Sequence, residues 1–139
     1  AALRAAKDNC DLPVIVSFSF AAGADNDRTI MGTDAEAIVD KLGPLEPAGF
    51  GANCGVGPDI AVGLAKGYRK VWDGPLWIKP NAGVPQLIEG KTVFSAEPSE
   101  FAQRIPPIIV AGANVIGGCC GSTPEHIRTV AEILMKKDN

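Results

Sequence analysis

The chain has 139 residues, 46% of them hydrophobic and 21% charged, which suits one domain with a buried core and does not suit a disordered tail. Thirteen Lys and Arg against sixteen Asp and Glu leave a formal charge of -3, so there is no basic footprint for nucleic acid or an anionic membrane surface. No apolar run reaches the roughly 18 residues of a membrane span. The most apolar stretch, residues 105–119, is broken by Pro106, Pro107, Gly112 and Asn114, and the opening AALRAAKDNC lacks the apolar segment of a secretory signal. A soluble, cytoplasmic protein is expected.

In chain order, residues 13–20 (PVIVSFSF) are β-branched and aromatic, as a buried strand should be. A Gly, Asn and Asp loop follows. Thr33 is placed to cap the next helix, with Glu36 at the capping-box position and Gly43-Pro44 at its end. Residues 50–54 (FGANC) form a second strand. Gly55-Val56-Gly57 makes a turn rather than a phosphate loop, because the full glycine pattern is missing. Pro58 suits a helix first turn, and Ile60, Leu64 and Ala65 mark the inner side of a helix to about Lys70. Residues 75–79 (PLWIK) are the third strand, flanked by Trp72 and Trp77, which are expected to pack rather than to stack on a ligand. Residues 81–94 read as a long loop with room for a short hairpin.

Ser99 is expected to cap a helix from Glu100 that Pro106-Pro107 interrupts. Residues 114–118 (NVIGG) are the fourth strand. Ser122 or Thr123 caps the last helix, with Ile127, Val130, Ala131 and Leu134 as its buried stripe. His126, the sole histidine, falls in the first turn of that helix and is expected to face solvent. Lys136, Lys137 and Asp138 read as its solvated end. Four successive βα units imply parallel strands with helical crossovers. An open doubly wound sheet and half of an eightfold barrel both satisfy that order.

Four cysteines occur, Cys10, Cys54, Cys119 and Cys120, and a reduced set is the expectation. Cys54 ends the second strand and the Cys119-Cys120 pair ends the fourth. Strand carboxyl ends form the functional face of parallel α/β folds, so the three thiols can converge there. A lone cysteine is usually core. An adjacent pair among Gly117, Gly118 and Gly121 is different, because glycines remove packing surface and free the backbone to aim both sulfurs one way. Three thiolates suit Zn2+, and three protein ligands leave a fourth position for a thiol substrate. Cys10 precedes the first strand, at the opposite end.

Gly51-Ala52-Asn53-Cys54, the loop Lys79-Pro80-Asn81-Ala82-Gly83-Val84-Pro85, and Gly117-Gly118-Cys119-Cys120-Gly121 followed by Ser122-Thr123-Pro124-Glu125-His126-Ile127 together resemble the homocysteine S-methyltransferase family. The resemblance runs from about residue 13 to the C-terminus. It implies zinc-dependent transfer of a methyl group to homocysteine, giving methionine, with Cys54, Cys119 and Cys120 as zinc ligands and the homocysteine thiolate in the fourth position. Asn53 and Asn81 are the candidate substrate-binding residues. The methyl donor would be methylcobalamin on a separate domain or chain, betaine or S-methylmethionine, and the Pro-Asn-Ala-Gly form is most similar to the cobalamin-dependent branch.

The resemblance further implies that residues 1–139, a single domain, correspond to the C-terminal half of a TIM (β/α)8 barrel, strands five to eight. The chain is then expected to be a truncated product or fragment that needs an N-terminal half-barrel, another chain or a second copy. Two other readings stand beside it: a catalytically inactive, zinc-binding or self-associating half-barrel, and a flavodoxin-like binding module with incidental cysteines.

Overall fold

The computed structural model describes residues 1–55 and 57–135. Val56 of the Gly55-Val56-Gly57 turn lies outside the described residues, as do Lys136, Lys137 and Asp138. The elements are α1 (Ala2–Asn9), β1 (Ile15–Phe18), α2 (Ala35–Leu42), a 3-10 turn (Gly43–Leu45), β2 (Gly49–Cys54), α3 (Pro58–Arg69), β3 (Leu76–Pro80), β4 (Pro85–Ile88), β5 (Lys91–Phe94), α4 (Pro98–Gln103), α5 (Pro106–Val110), β6 (Val115–Ile116) and α6 (Pro124–Met135). None of these helices is long and apolar enough to cross a membrane.

The main sheet is parallel throughout and runs β1-β2-β3-β6. Spatial order therefore follows chain order, and each crossover adds a strand on the same side. A doubly wound sheet reverses direction at a switch point. No reversal occurs among the described strands, so the flavodoxin-like alternative is not supported.

One face of the sheet is packed by helices. Phe50, Ala52, Leu76 and Ile78 alternate onto that face and are buried against Ile38, Ala61, Leu64, Ala65, Phe101 and Ile108. Tyr68 sits at the centre. Its ring meets Phe20 edge-on at 6.0 Å and Phe50 in a stacked arrangement at 6.2 Å, and Trp72 meets Phe50 edge-on at 4.9 Å. The tryptophan packs, as expected. The opposite face carries Ile15, Ser17, Asn53, Trp77 and Lys79, all half-buried and, among the described residues, without a covering layer of helices.

At the amino ends of the strands, the guanidinium of Arg69 donates to the carbonyls of Gly112, Trp72 and Gly74 and to the Asn114 side chain. Asn114 Oδ1 also accepts the Leu76 N–H at 2.9 Å, which fixes the starts of β3 and β6 together.

Several expectations shift. Residues 2–9 form a helix that carries no strong sequence signal; it is tied on by Lys7 Nζ, which donates to the carbonyls of Leu45 and Glu46. Asp34, not Thr33, caps α2: its carboxylate accepts the Ala37 N–H at 3.0 Å. Thr33 stands one residue too early for that bond and instead closes the preceding turn. Ser99 caps nothing, because Pro98 already occupies the first turn of α4. The 81–94 loop does contain a hairpin, β4–β5, turning on Glu89 and Gly90, both with positive φ as a type I′ turn requires.

Candidate metal centre

Two strand ends deliver the site. Cys54 is the last residue of β2, and Cys119 and Cys120 follow β6 in a glycine-rich turn. The three sulfurs lie within 4.8 Å of one another, a group that can hold a metal ion. Cys54 Sγ and Cys120 Sγ are 3.7 Å apart. Two thiolates sharing a tetrahedral ion at about 2.3 Å would sit about 3.8 Å apart, so this pair matches a common ion without moving.

Cys54 and Cys119 are joined as a disulfide. This differs from the fully reduced set expected from the sequence. Both sulfurs are aimed at the point that a shared ion would take. Cys120 and Cys10 keep free, exposed thiols.

The convergence is not a simple result of the sheet. β3 lies between β2 and β6, and two strand spacings amount to about 9.6 Å. The Cα atoms of Cys54 and Cys119 are nonetheless 5.5 Å apart. Two bends close the gap. Cys54 adopts a left-handed backbone, φ 55°, which is costly outside glycine and redirects its side chain over the end of β3. Gly55 continues the bend at φ 66°, and a Cβ there would strike the backbone carbonyl of Phe20.

From the other side, the 117–120 segment hangs on the end of β3. The N–H of Gly117 donates to Ile78, the N–H of Cys119 to Pro80, and the N–H of Ala82 to Cys120, at 2.9 to 3.1 Å. Gly121, φ 79°, then turns the chain past the Phe94 ring, which fills the space a side chain would need.

Asn81 locks these loops together. It is only 4% exposed; its Oδ1 accepts the Cys120 N–H at 3.1 Å, and its Nδ2 donates to the Gly55 carbonyl at 3.5 Å. Its side chain is thus committed to the backbone of both cysteine-bearing loops. Asn53 differs: it faces the open side of the sheet, where its Oδ1 accepts the Ser17 hydroxyl at 2.5 Å.

His126 is buried, at 5% exposed, against the expectation of a solvent-facing residue. Its Nδ1 accepts the Thr123 N–H at 3.2 Å, its Nε2 pairs with the Ala96 carbonyl at 2.9 Å, and its ring packs edge-on against Phe101. Ala96 N–H donates to Ala82, and Ala82 N–H to Cys120, so the imidazole braces the loop behind the sulfurs without reaching them. The α6 stripe is rotated to match, with Val130 buried and Ile127 half exposed. A helical spacing that included position 126 would have found this, but a polar residue in a first turn reads as exposed.

A family model described as homocysteine S-methyltransferase matches residues 1–134. Among curated proteins, the methionine synthase of Mycobacterium leprae (strain TN) is 33% identical over 108 residues, 77% of this chain and 9% of that protein. Among solved structures, the homocysteine methyltransferase MmuM from Escherichia coli matches in its apo form with TM-score 0.72 at 21% identity. That match covers 94% of this chain and 43% of that one. Its metallated form matches with TM-score 0.64 at 24% identity, over 84% and 35%, and its oxidised form with 0.63 at 23%, over 85% and 36%. The chain thus spans less than half of the structures it matches and about a tenth of the curated relative.

Proposed function

The chain belongs to the homocysteine S-methyltransferase family, and from that premise we propose that it forms the thiol-binding half of an enzyme transferring a methyl group to the thiolate of homocysteine, giving methionine. One observation carries the reading: the sulfurs of Cys54, Cys119 and Cys120, from two strand ends, lie within 4.8 Å of one another. Three sulfur donors favour Zn2+ over harder cations, and the reduced cysteines would hold it. Zinc bound there supplies a position at which a thiol stays deprotonated at neutral pH.

The residues of this chain do the rest. Asn81 keeps the two cysteine loops in register and so shapes the substrate site through the backbone. Asn53, held by Ser17, presents its amide N–H groups to the open face where the thiol substrate binds. In the transfer the sulfur lone pair forms the new S–C bond, the donor–methyl bond breaks, and its electron pair leaves with the donor. Methylcobalamin on a separate domain or chain is the donor favoured by the Pro80-Asn81-Ala82-Gly83 loop; betaine and S-methylmethionine are the alternatives. Three thiolates call for a reducing compartment, the cytoplasm.

In this reading the four parallel strands are strands five to eight of a (β/α)8 barrel, and turnover needs the complementary half from further polypeptide or another chain. A second reading is favoured by the uncovered sheet face and the unpaired edges of β1 and β6: a metal-binding, self-associating half-barrel without turnover. Metal analysis of the reduced chain tests both. One zinc per chain, lost in Cys54→Ser, Cys119→Ser and Cys120→Ser alike, supports the site, and no zinc refutes it. Proton release on adding homocysteine to the zinc-loaded chain separates the first reading from the second.

A further inference from the structure

Asn53 and Lys79 are register partners on the adjacent strands β2 and β3. Both lie on the open face of the sheet, one residue before the strand ends at Cys54 and Pro80. The Ser17 hydroxyl occupies Asn53 Oδ1, which leaves the two N–H groups of Asn53 Nδ2 to donate. The Lys79 stem is laid along Gly117: a Cβ on that glycine would stand 3.1 Å from Lys79 Cγ and 3.4 Å from Cδ. Gly117 is two residues ahead of Cys119.

Among the described residues, no acceptor takes Asn53 Nδ2 or the Lys79 ammonium. The strand residues sharing this face, Ile15, Ser17, Gly51, Trp77 and Val115, include no acid. A cation and an amide donor therefore sit on register-paired residues of one sheet face, half-buried and, among the described residues, unpartnered, with Asn53 directly before Cys54. A cation and an amide donor on neighbouring strands are the groups that receive a carboxylate through charge-assisted hydrogen bonds.

We propose that Asn53 and Lys79 bind the carboxylate of the thiol substrate and so select a thiol that bears one. The inference rests on the thiol-binding reading above. An amino thiol of the homocysteine type carries its carboxylate four bonds from sulfur. One residue along a strand is about 3.3 Å, so a substrate sulfur at the cluster leaves its carboxylate within reach of this pair. A charge-assisted contact of this kind discriminates by about tenfold or more.

The test uses the reduced chain loaded with Co2+, whose thiolate absorption reports each added thiol. Homocysteine is compared with 3-aminopropane-1-thiol, which is homocysteine without its carboxyl group. The unaltered chain should bind homocysteine at least about tenfold tighter. Lys79→Met should reduce that ratio to about twofold or less, Asn53→Ala should reduce it in part, and Lys79→Arg should retain it. Equal binding of the two thiols by the unaltered chain, or a ratio that survives Lys79→Met, overturns the proposal. A Lys79→Met chain that weakens both thiols equally also overturns it, because Lys79 would then only offset the charge of the sulfurs. Cobalt uptake with no response to either thiol refutes it while leaving the metal site standing, whereas no cobalt–thiolate absorption refutes the metal site itself.

Discussion

The side-chain oxygen of Asn81 takes the backbone N–H of Cys120 at 3.1 Å while its amide faces the Gly55 carbonyl, so one buried residue spans the two loops that carry the sulfurs. Removing it orphans a donor and an acceptor beside the cluster. Asn81→Ala should cost about 1–3 kcal/mol of stability. It should also weaken metal binding by about 10–100-fold, as loss of a residue that orients ligands typically does. Denaturant unfolding and chelator competition on the reduced chain measure the two effects. A stability loss with unaltered metal affinity would mean that Asn81 holds the fold and not the ligands.

The Cys54–Cys119 disulfide and the metal compete for the same two sulfurs. Purified without reductant, the chain should show two thiols reactive to Ellman's reagent, those of Cys10 and Cys120, and four after reduction. Zinc uptake should be confined to the four-thiol form. A two-thiol chain that binds one zinc would show that the disulfide is not the resting pairing in solution.

The sequence made the cysteine convergence legible because chemistry and topology agreed on it. Strand ends of a parallel α/β chain share one face, and glycines around Cys119-Cys120 signalled an unpleated backbone. What it could not show is how the distance across β3 is closed. That depends on a left-handed Cys54, and nothing in the residue type cysteine announces such a backbone. Asn81 is a candidate substrate contact by resemblance, and a Pro-Asn-Ala-Gly turn also accounts for an asparagine, so neither reading announces its long-range bonds to the two cysteine loops. The choice of winding was equally hidden, because βα alternation is common to both architectures and only the strand order distinguishes them. Nothing in the sequence assigns Lys79 a role of its own within its motif, since a lysine at a strand end normally reads as solvated.

His126 shows the opposite failure, a residue taken for surface that is a brace. Its two nitrogens join Thr123 at the start of α6 to Ala96 at the end of the hairpin connection. His126→Phe keeps the ring against Phe101 but removes its bonds to Thr123 and Ala96, and should cost about 1–3 kcal/mol. The matching measurement is unfolding of the reduced, metal-free chain, where any change belongs to the brace alone. An effect within about 0.5 kcal/mol, the usual range for a surface substitution, would return His126 to the surface class.

Tyr68 is the sole tyrosine, fully buried, with its hydroxyl donating to the Gly51 carbonyl at 3.2 Å. Burial pushes its phenol well above the ordinary value near 10. The sign of the linkage follows. Below pH 10 the phenol is protonated in both states and its contribution is complete. Above it the unfolded chain releases the proton first, so stability falls with rising pH, by at most about 1.4 kcal/mol per unit from this group. Tyrosinate absorbance near 295 nm reports Tyr68 alone. It should rise at pH 10 to 11 in urea-unfolded chain and stay low in folded chain. Tyr68→Phe should lose about 0.5–1.5 kcal/mol at neutral pH through the missing hydrogen bond, yet show a shallower alkaline decline than the unaltered chain. Equal slopes in the two chains would show that the alkaline loss does not come from Tyr68.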